Sequence, residues 1–348
     1  MNQRWPILSS PFVHADTSVR KTMFHVQLAS IPALFIYFYF FGYGITIQWT
    51  LGVLTAIIVE AAMLYLRNRP ILPYLTDFSA LITVTGITFS IPPDAPWWLI
   101  ITGVSFALIF GKHLYGGLGY NPFNPAMLGF AFLIVSFPAQ MTIWTSPIDV
   151  SGHKPSFLQS LDLIFFGHSQ GITLDQITGA TPLGEIKTNL TQNIPVTESL
   201  KSQLFSNSQV GIGWVWVNIA FILGGIYLLL TRTIRWQFPI GFLAGLTVMA
   251  LIFHAIDPQT YAPLSVHLLS GGTMLAAFFI ITDPVSGPTT PRGRLFFAFS
   301  IGVLLYIIRN WGAFPDGIAF AILIMNMFVP LIDQYTQPRV FGYQREKV

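Results

Sequence analysis

The sequence predicts an all-α polytopic membrane protein. About ten transmembrane helices form two inverted five-helix repeats, with a long extracytoplasmic loop between them. Three observations carry this prediction. First, of 348 residues 53% are hydrophobic and only 9% are charged, and mean hydropathy is +0.62. Soluble domains carry about 25% charged residues. So few charges do not cover a water-facing surface, so the bilayer solvates much of this chain. Second, the apolar residues fall into ten segments, most near the length of about 20 residues that a spanning helix needs. Third, lysine and arginine are spread unevenly between the intervening loops, as the charge rule for membrane orientation expects.

Taken in order, residues 1–22 are polar and turn-like. They read as a cytoplasmic tail, with no cleavable signal peptide evident. The first half, 23–143, holds apolar segments at 23–41, 45–66, 71–91, 97–110 and 125–143. Residues 144–210 are the longest polar stretch. The second half, 211–332, holds segments at 211–230, 236–256, 266–282, 295–308 and 314–332, and 333–348 is a second cytoplasmic tail. With the N-terminus inside, 13 of the 17 Lys and Arg residues are cytoplasmic. Only Lys154, Lys187, Lys201 and Arg309 fall outside. Both termini are then cytoplasmic, and 144–210 faces away from the cytoplasm.

An odd number of spans per half makes the repeat inverted. The fourth segment of each half is short, 14 residues, and follows a third segment interrupted by glycine (Gly86; Gly271 and Gly272). Such paired features point to a mid-membrane site. They are also what two tilted helices with clipped ends would give. The chain has no cysteine, which excludes disulfides, iron–sulfur ligation and zinc thiolates. No metal site is expected, and no dense basic run points to nucleic acid.

Several stretches carry candidate chemistry. In "GKHLYGGLGYNPFNPAM", 111–127, Gly116, Gly117 and Gly119 allow backbone to approach a ligand closely. Asn121 and Asn124 each donate and accept. Such a turn suits a flat heterocycle such as an isoalloxazine ring, and equally a loop whose asparagines cap the next helix. In "TDPVSGPTTPRGR", 282–294, Asp283 is expected to pair with Arg292 or Arg294 at the cytoplasmic rim, the alternative being gating or ion handling. In "DQITGATPLGE", 175–185, Thr181 precedes a proline on a tight turn. No His or Lys stands beside it in triad fashion, so nucleophilic catalysis is unsupported. Surface turn and modification site both stay open. Glu60 lies inside the second segment and is either part of an ion path or an acid satisfied by a neighbouring helix. His254 and His267 suggest haem ligation or, more simply, interfacial polar groups.

These stretches together carry a resemblance. Asp175-x-x-Thr178-Gly179-Ala180-Thr181 resembles the signal at which a flavin transferase attaches FMN through a phosphoester to the final threonine. "SSPFVHADTSVRKTM", the glycine–asparagine turn, "FPAQ", "ITDPVSGPTTPRGR" and "AFPDGIAFAILIMNMFVPLID" are similar, in order and over nearly the whole chain, to one family. It comprises the D-type subunit of the Rnf (Rsx) ion-translocating electron-transport complex and the B-type subunit of the sodium-translocating NADH:quinone reductase. The first stretch is closer to the Rnf branch.

The resemblance implies FMN held covalently on Thr181, with Asp175, Thr178, Gly179 and Ala180 as the recognition motif. It implies a second, non-covalent flavin, riboflavin or FMN, at Asn121 and Asn124, with Gly116 and Gly117 nearby. The implied location is a bacterial inner membrane. The implied partners are the other Rnf subunits, including the G-type subunit with its own covalent FMN, and the flavin transferase. The implied role is an electron-transfer subunit of a redox-driven ion translocase, not independently catalytic. The contrasting expectation is an inverted-repeat channel or transporter with no redox role.

Overall fold

The computed structural model describes residues 18–169, 173–205 and 210–338. The chain enters α1 (Val19–Phe41) through Ser18, whose hydroxyl accepts from Lys21 N at 3.2 Å, and leaves it at the left-handed Gly42. The long α2 follows (Gly44–Leu66). The segment at 71–91 is not one helix. It divides into α3 (Ile71–Leu75) and α4 (Ser79–Thr88) at Phe78, which has φ +65°, and Asp77 Oδ1 accepts from Ser79 N at 2.7 Å across the break. Then α5 (Trp97–Leu108) continues into a π-helical turn, Ile109–His113. The 125–143 segment divides into α6 (Pro125–Ser136) and α7 (Pro138–Thr142). Pro138 is the cause: it has no N–H to give, and it pushes Phe137 out of helical conformation.

The polar stretch is folded. It contains α8 (Ile148–Ser151), α9 (Phe157–Phe166), α10 (Leu174–Ile177), α11 (Pro182–Thr191) and α12 (Val196–Ser199). A reciprocal capping box of Ser156 and Gln159 starts α9. Two short antiparallel strands, β1 (Trp144–Thr145) and β2 (Thr178–Gly179), pair Trp144 with Gly179 and Thr145 with Thr178.

The second half comprises α13 (Trp214–Leu230), α14 (Gln237–Ile256), α15 (Leu264–Leu269), α16 (Thr273–Leu275) with a π-helical turn at Ala276–Ile280, α17 (Pro291–Trp311) and α18 (Ile318–Thr336). The 266–282 segment is broken at Ser270–Gly272. One buried amide repairs that break: Asn218 Nδ2 donates to Leu269 O (3.0 Å) and Gly271 O (3.2 Å), and its Oδ1 accepts from Met274 N (3.3 Å). Unwound backbone survives at membrane depth only when protein groups satisfy it. The ninth segment is longer than its apolar run, because α17 has 21 residues. Its first turn carries Arg292 and Arg294, which hydropathy excluded.

Among the described residues six helical stretches are long and apolar enough to cross a membrane, counting 71–88 as one, and four shorter apolar helices accompany them. Large apolar side chains such as Phe35, Ile58, Leu230 and Met327 point outward, as lipid-facing surfaces require. The packing of the two halves matches. α2 packs on α5 as α14 packs on α17, and α5 on α6 as α17 on α18. α1 pairs with α13 and α6 with α18 across the centre. Close approach depends on small residues: a β-carbon at Gly245 of α14 would lie 2.2 Å from Phe299 O of α17.

Candidate functional site: two cavities with a shared wall

At the end of the bundle covered by 144–210, the DQITGAT stretch runs from α10, which includes Asp175, through β2 into α11. A β-carbon at Gly179 would lie 2.2 Å from Ser146 Oγ, so a larger residue there requires the serine hydroxyl to rotate away. Thr181 is the N-cap of α11, with Pro182 at the first helical position, and its Oγ1 accepts from Gly184 N at 3.1 Å. The helix is tied down by Lys187. Its ammonium donates to Arg309 O (3.2 Å), Gly312 O (2.5 Å) and Phe314 O (2.9 Å), the free carbonyls at and beyond the end of α17. Burial pushes the Lys187 pKa below its ordinary value. Ala180 and Thr181 line a cavity of about 500 Å³ together with Tyr37, Trp144, Trp214 and Lys187.

At the opposite end a second cavity of about 420 Å³ is lined by Asn121, Asn124, Lys112, Ser79, Gln27 and Asp283, among others. The two asparagines differ. Asn124 caps α6, with Oδ1 accepting from Met127 N at 3.1 Å and Nδ2 donating to Ile280 O at 3.4 Å. Its backbone N–H donates to Asn326 Oδ1 at 3.3 Å, and Asn326 Nδ2 donates to Ser286 O at 2.9 Å. Asn121, 4% exposed, donates from Nδ2 to Phe123 O at 2.9 Å, while its buried Oδ1 has no protein partner. Gly116 (φ +120°) and Gly117 (φ +104°) shape the turn and are not among the residues lining this cavity. Arg67 Nη2 donates to Gly116 O at 2.7 Å. Phe89, Leu275 and Ile280 line both cavities, so the two are separated by one apolar wall.

Glu60 is buried beside the second cavity. Lys112 Nζ donates to Glu60 Oε1 at 2.6 Å and to Ser79 Oγ at 2.8 Å, and His113 Nε2 lies 3.1 Å from Oε2. Ser79 Oγ donates in turn to Asp77 Oδ1 at 2.5 Å. Lys112 was legible only as a loop charge. In the fold it sits inside the π-helical turn, 4% exposed. The buried charge of Glu60 is thus matched by a specific cation. Arg309 was likewise missed. It donates to His267 O (2.8 Å) and Thr273 Oγ1 (2.8 Å), and it pairs with Asp316 at 3.2 Å, which accepts from Gly272 N at 3.0 Å. This second buried group braces the Ser270–Gly272 break.

Asp283 does not pair with Arg292 or Arg294. Its carboxylate accepts from Val285 N (3.1 Å) and Ser286 Oγ (2.8 Å), closing its own turn. Burial pushes its pKa up. Arg294 donates instead to Pro288 O at 3.1 Å. His254 Nδ1 is bonded to Tyr261 O at 2.8 Å, and His267 is buried with neither ring nitrogen hydrogen-bonded.

The sequence pattern of the NQR2, RnfD, RnfE family matches residues 7–342. Bacterial proteins described as the D-type subunit of an ion-translocating oxidoreductase complex are similar over almost their full length. The one from Yersinia enterocolitica is 49% identical over 347 residues, covering 97% of this chain and 99% of that protein. The one from Vibrio cholerae is 48% identical over 345 residues, covering 97% and 99%. The one from Salmonella paratyphi B is 44% identical over 347 residues, covering 97% and 99%. With its landmarks in family order on a helical membrane fold, the chain belongs to the NQR2, RnfD, RnfE family.

Proposed function

We propose that this chain is the membrane flavoprotein subunit of an ion-translocating ferredoxin/NAD oxidoreductase of the Rnf (Rsx) type, passing electrons between a non-covalent flavin and FMN esterified to Thr181. The observation that carries the proposal is that Thr181 lines one cavity and Asn121, whose buried oxygen has no protein partner, lines another, with lining residues shared between the two. Both cavities lie within the size range of cofactor sites, about 300–1,000 Å³.

The residues fit the groups implied. Thr181 stands at the N-terminus of a ten-residue helix, where free N–H groups and the helix dipole favour a phosphate. Tyr37, Trp144 and Trp214 offer flat apolar surfaces beside it. In the other cavity Asn121 would offer its unpartnered Oδ1 to a ligand N–H, and Lys112 brings positive charge. Bound flavins supply the redox chemistry. The chain's own residues position, bury and tune. Phe89, Leu275 and Ile280 keep water out of the interval between the sites.

The uneven charge distribution supports a Thr181 end outside the cytoplasm with both termini inside, and the resemblance supports a bacterial inner membrane. The partners on this reading are the other members of the complex, including the G-type subunit, and the flavin transferase. A channel or transporter reading draws on the same observation, two cavities divided by a thin wall. A denaturing gel viewed under ultraviolet light separates the two. Chain co-expressed with a flavin transferase gives a fluorescent band at its own mass on the redox reading and a dark band on the other.

A further inference from the structure

We propose that Asp94, Ser160 and Gln48 form a binding site for one monovalent alkali-metal cation at the Thr181 end of the bundle. Asp94 lies in the turn between α4 and α5. Its Oδ2 accepts from Thr145 Oγ1 at 2.9 Å, while the buried Oδ1 has no hydrogen-bond partner. The fully buried Ser160 hydroxyl lies beside this carboxyl, outside hydrogen-bonding geometry. Gln48 is also fully buried. Its Nε2 donates to Ala95 O, next in sequence to Asp94, and its Oε1 is unpartnered. Gln48 is one turn beyond Gly44. A β-carbon at Gly44 would lie 2.4 Å from Asp94 Oδ1 and 2.6 Å from Pro93 O, so both oxygens press against the start of α2.

The Ser160 hydroxyl thus lies unsatisfied beside the unpartnered Asp94 Oδ1, and Gln48, with an unpartnered oxygen of its own, is anchored to the next residue, Ala95. That carboxylate has no ion-pair partner among the described residues. Of the elements packed against it, α2 brings Gly44 and Gln48, β1 brings Thr145 and α9 brings Ser160. Asp162 follows Ser160 by two residues, about 200° round the helix and so on the other face. Tyr43 and Lys154 also lie at this end, and the Lys154 ammonium sits over the Phe38, Tyr39 and Tyr43 rings.

A carboxylate with one oxygen buried and unpartnered is costly, and such a group either takes a proton or acquires a counter-ion. Burial pushes Asp94 up to about 6, so above that pH it is an uncompensated anion. An all-oxygen donor set selects a hard cation, and a single negative charge balances a monovalent one. The site touches the flavinylation motif, because Thr145 is the β-ladder partner of Thr178. It goes beyond the flavin assignment and does not depend on it.

The test is the melting temperature of the purified full-length chain in detergent at pH 8. Sodium, lithium or potassium chloride is titrated at constant ionic strength against choline chloride. Wild type is expected to gain a few degrees, saturably, with at least one alkali cation, as ligand binding to the native state requires. Asp94→Asn is expected to show no such gain, and in choline to be at least as stable as wild type, since it removes the uncompensated charge. Acidification in choline also separates the two. A carboxyl raised in the folded state binds more protons folded than unfolded between its unfolded and folded pKa, so wild type gains stability as pH falls from about 6 towards 4, and the variant does not. Ser160→Ala is expected to shift half-saturation to several-fold higher cation concentration. No alkali dependence in wild type, the same dependence in Asp94→Asn, or unchanged half-saturation in Ser160→Ala overturns the proposal.

Discussion

Asn121 and Asn124 stand three residues apart and play different parts. Asn124 is committed to the cap of α6 and to Ile280 O, whereas Asn121 keeps one buried oxygen free. The resemblance implies both as flavin contacts. The geometry makes the first the cleaner probe. Asn121→Leu is expected to cost the complex about 1–3 kcal/mol through the lost acceptor, which is roughly 5–150-fold in flavin retention. Asn124→Leu is expected to lower both extractable flavin and stability, the latter by about 1 kcal/mol through the lost cap. Acid-extractable flavin and melting temperature read the two effects, and wild-type flavin content in Asn121→Leu removes this side chain from the site. Glu60 gives a second test at this scale. Removing one partner of a buried pair costs about 3–5 kcal/mol, whereas replacing both with apolar groups is often neutral. Glu60→Leu is therefore expected to destabilise strongly, and Glu60→Leu with Lys112→Met to recover most of the loss. A double variant as unstable as the single one would show that Glu60 is not held by this pair.

At the scale of elements, α11 depends on one ammonium. Lys187→Met leaves three carbonyls at and beyond the end of α17 without their donor. It is expected to loosen α11 by about 1–3 kcal/mol, to speed proteolysis within 144–210 and to reduce flavinylation several-fold. Unchanged proteolysis would mean the helix is held by its apolar face alone. Of the caps, the sequence offers only the asparagine one before α6; Thr181-Pro182 reads as a tight turn and Thr290-Pro291 as loop, yet all three begin helices. The breaks in the third and eighth segments were only half readable. Gly271 announced one, but nothing local in "LTDFS" required a left-handed Phe78, and the repair by Asn218 comes from a helix some fifty residues away. The length of α17 was hidden because hydropathy treats Arg292, Arg294 and Arg309 alike as loop residues. Two sit in its first turn, and the third is folded inward onto Asp316 and Thr273.

For the whole molecule, composition and apolar periodicity were enough for a multi-pass helical protein, and the matched packing of the halves is the internal repeat expressed in space. The cavities were not legible, because Phe89, Leu275 and Ile280 meet only through tertiary packing. Orientation rests on the charge distribution, and cysteine labelling tests it. Ser151→Cys and Gln192→Cys are expected to react with an impermeant reagent on intact cells, and Thr289→Cys only after lysis. The reverse pattern would invert the topology.

The central claim is the flavin on Thr181, and mass spectrometry of the chymotryptic peptide 175–183 tests it most directly. Protein is produced with a flavin transferase present. The wild-type peptide is expected to carry FMN through a phosphoester, and the Thr181→Ala peptide none, since alanine has no oxygen to esterify. Thr178 is held in β2 and is not expected to substitute. Thr181 lies half-buried in the polar 144–210 stretch, and Thr181→Ala removes the cap of α11 at a cost of about 1 kcal/mol, which leaves insertion and yield intact. An unmodified wild-type peptide, or FMN retained on this peptide in Thr181→Ala, contradicts the assignment.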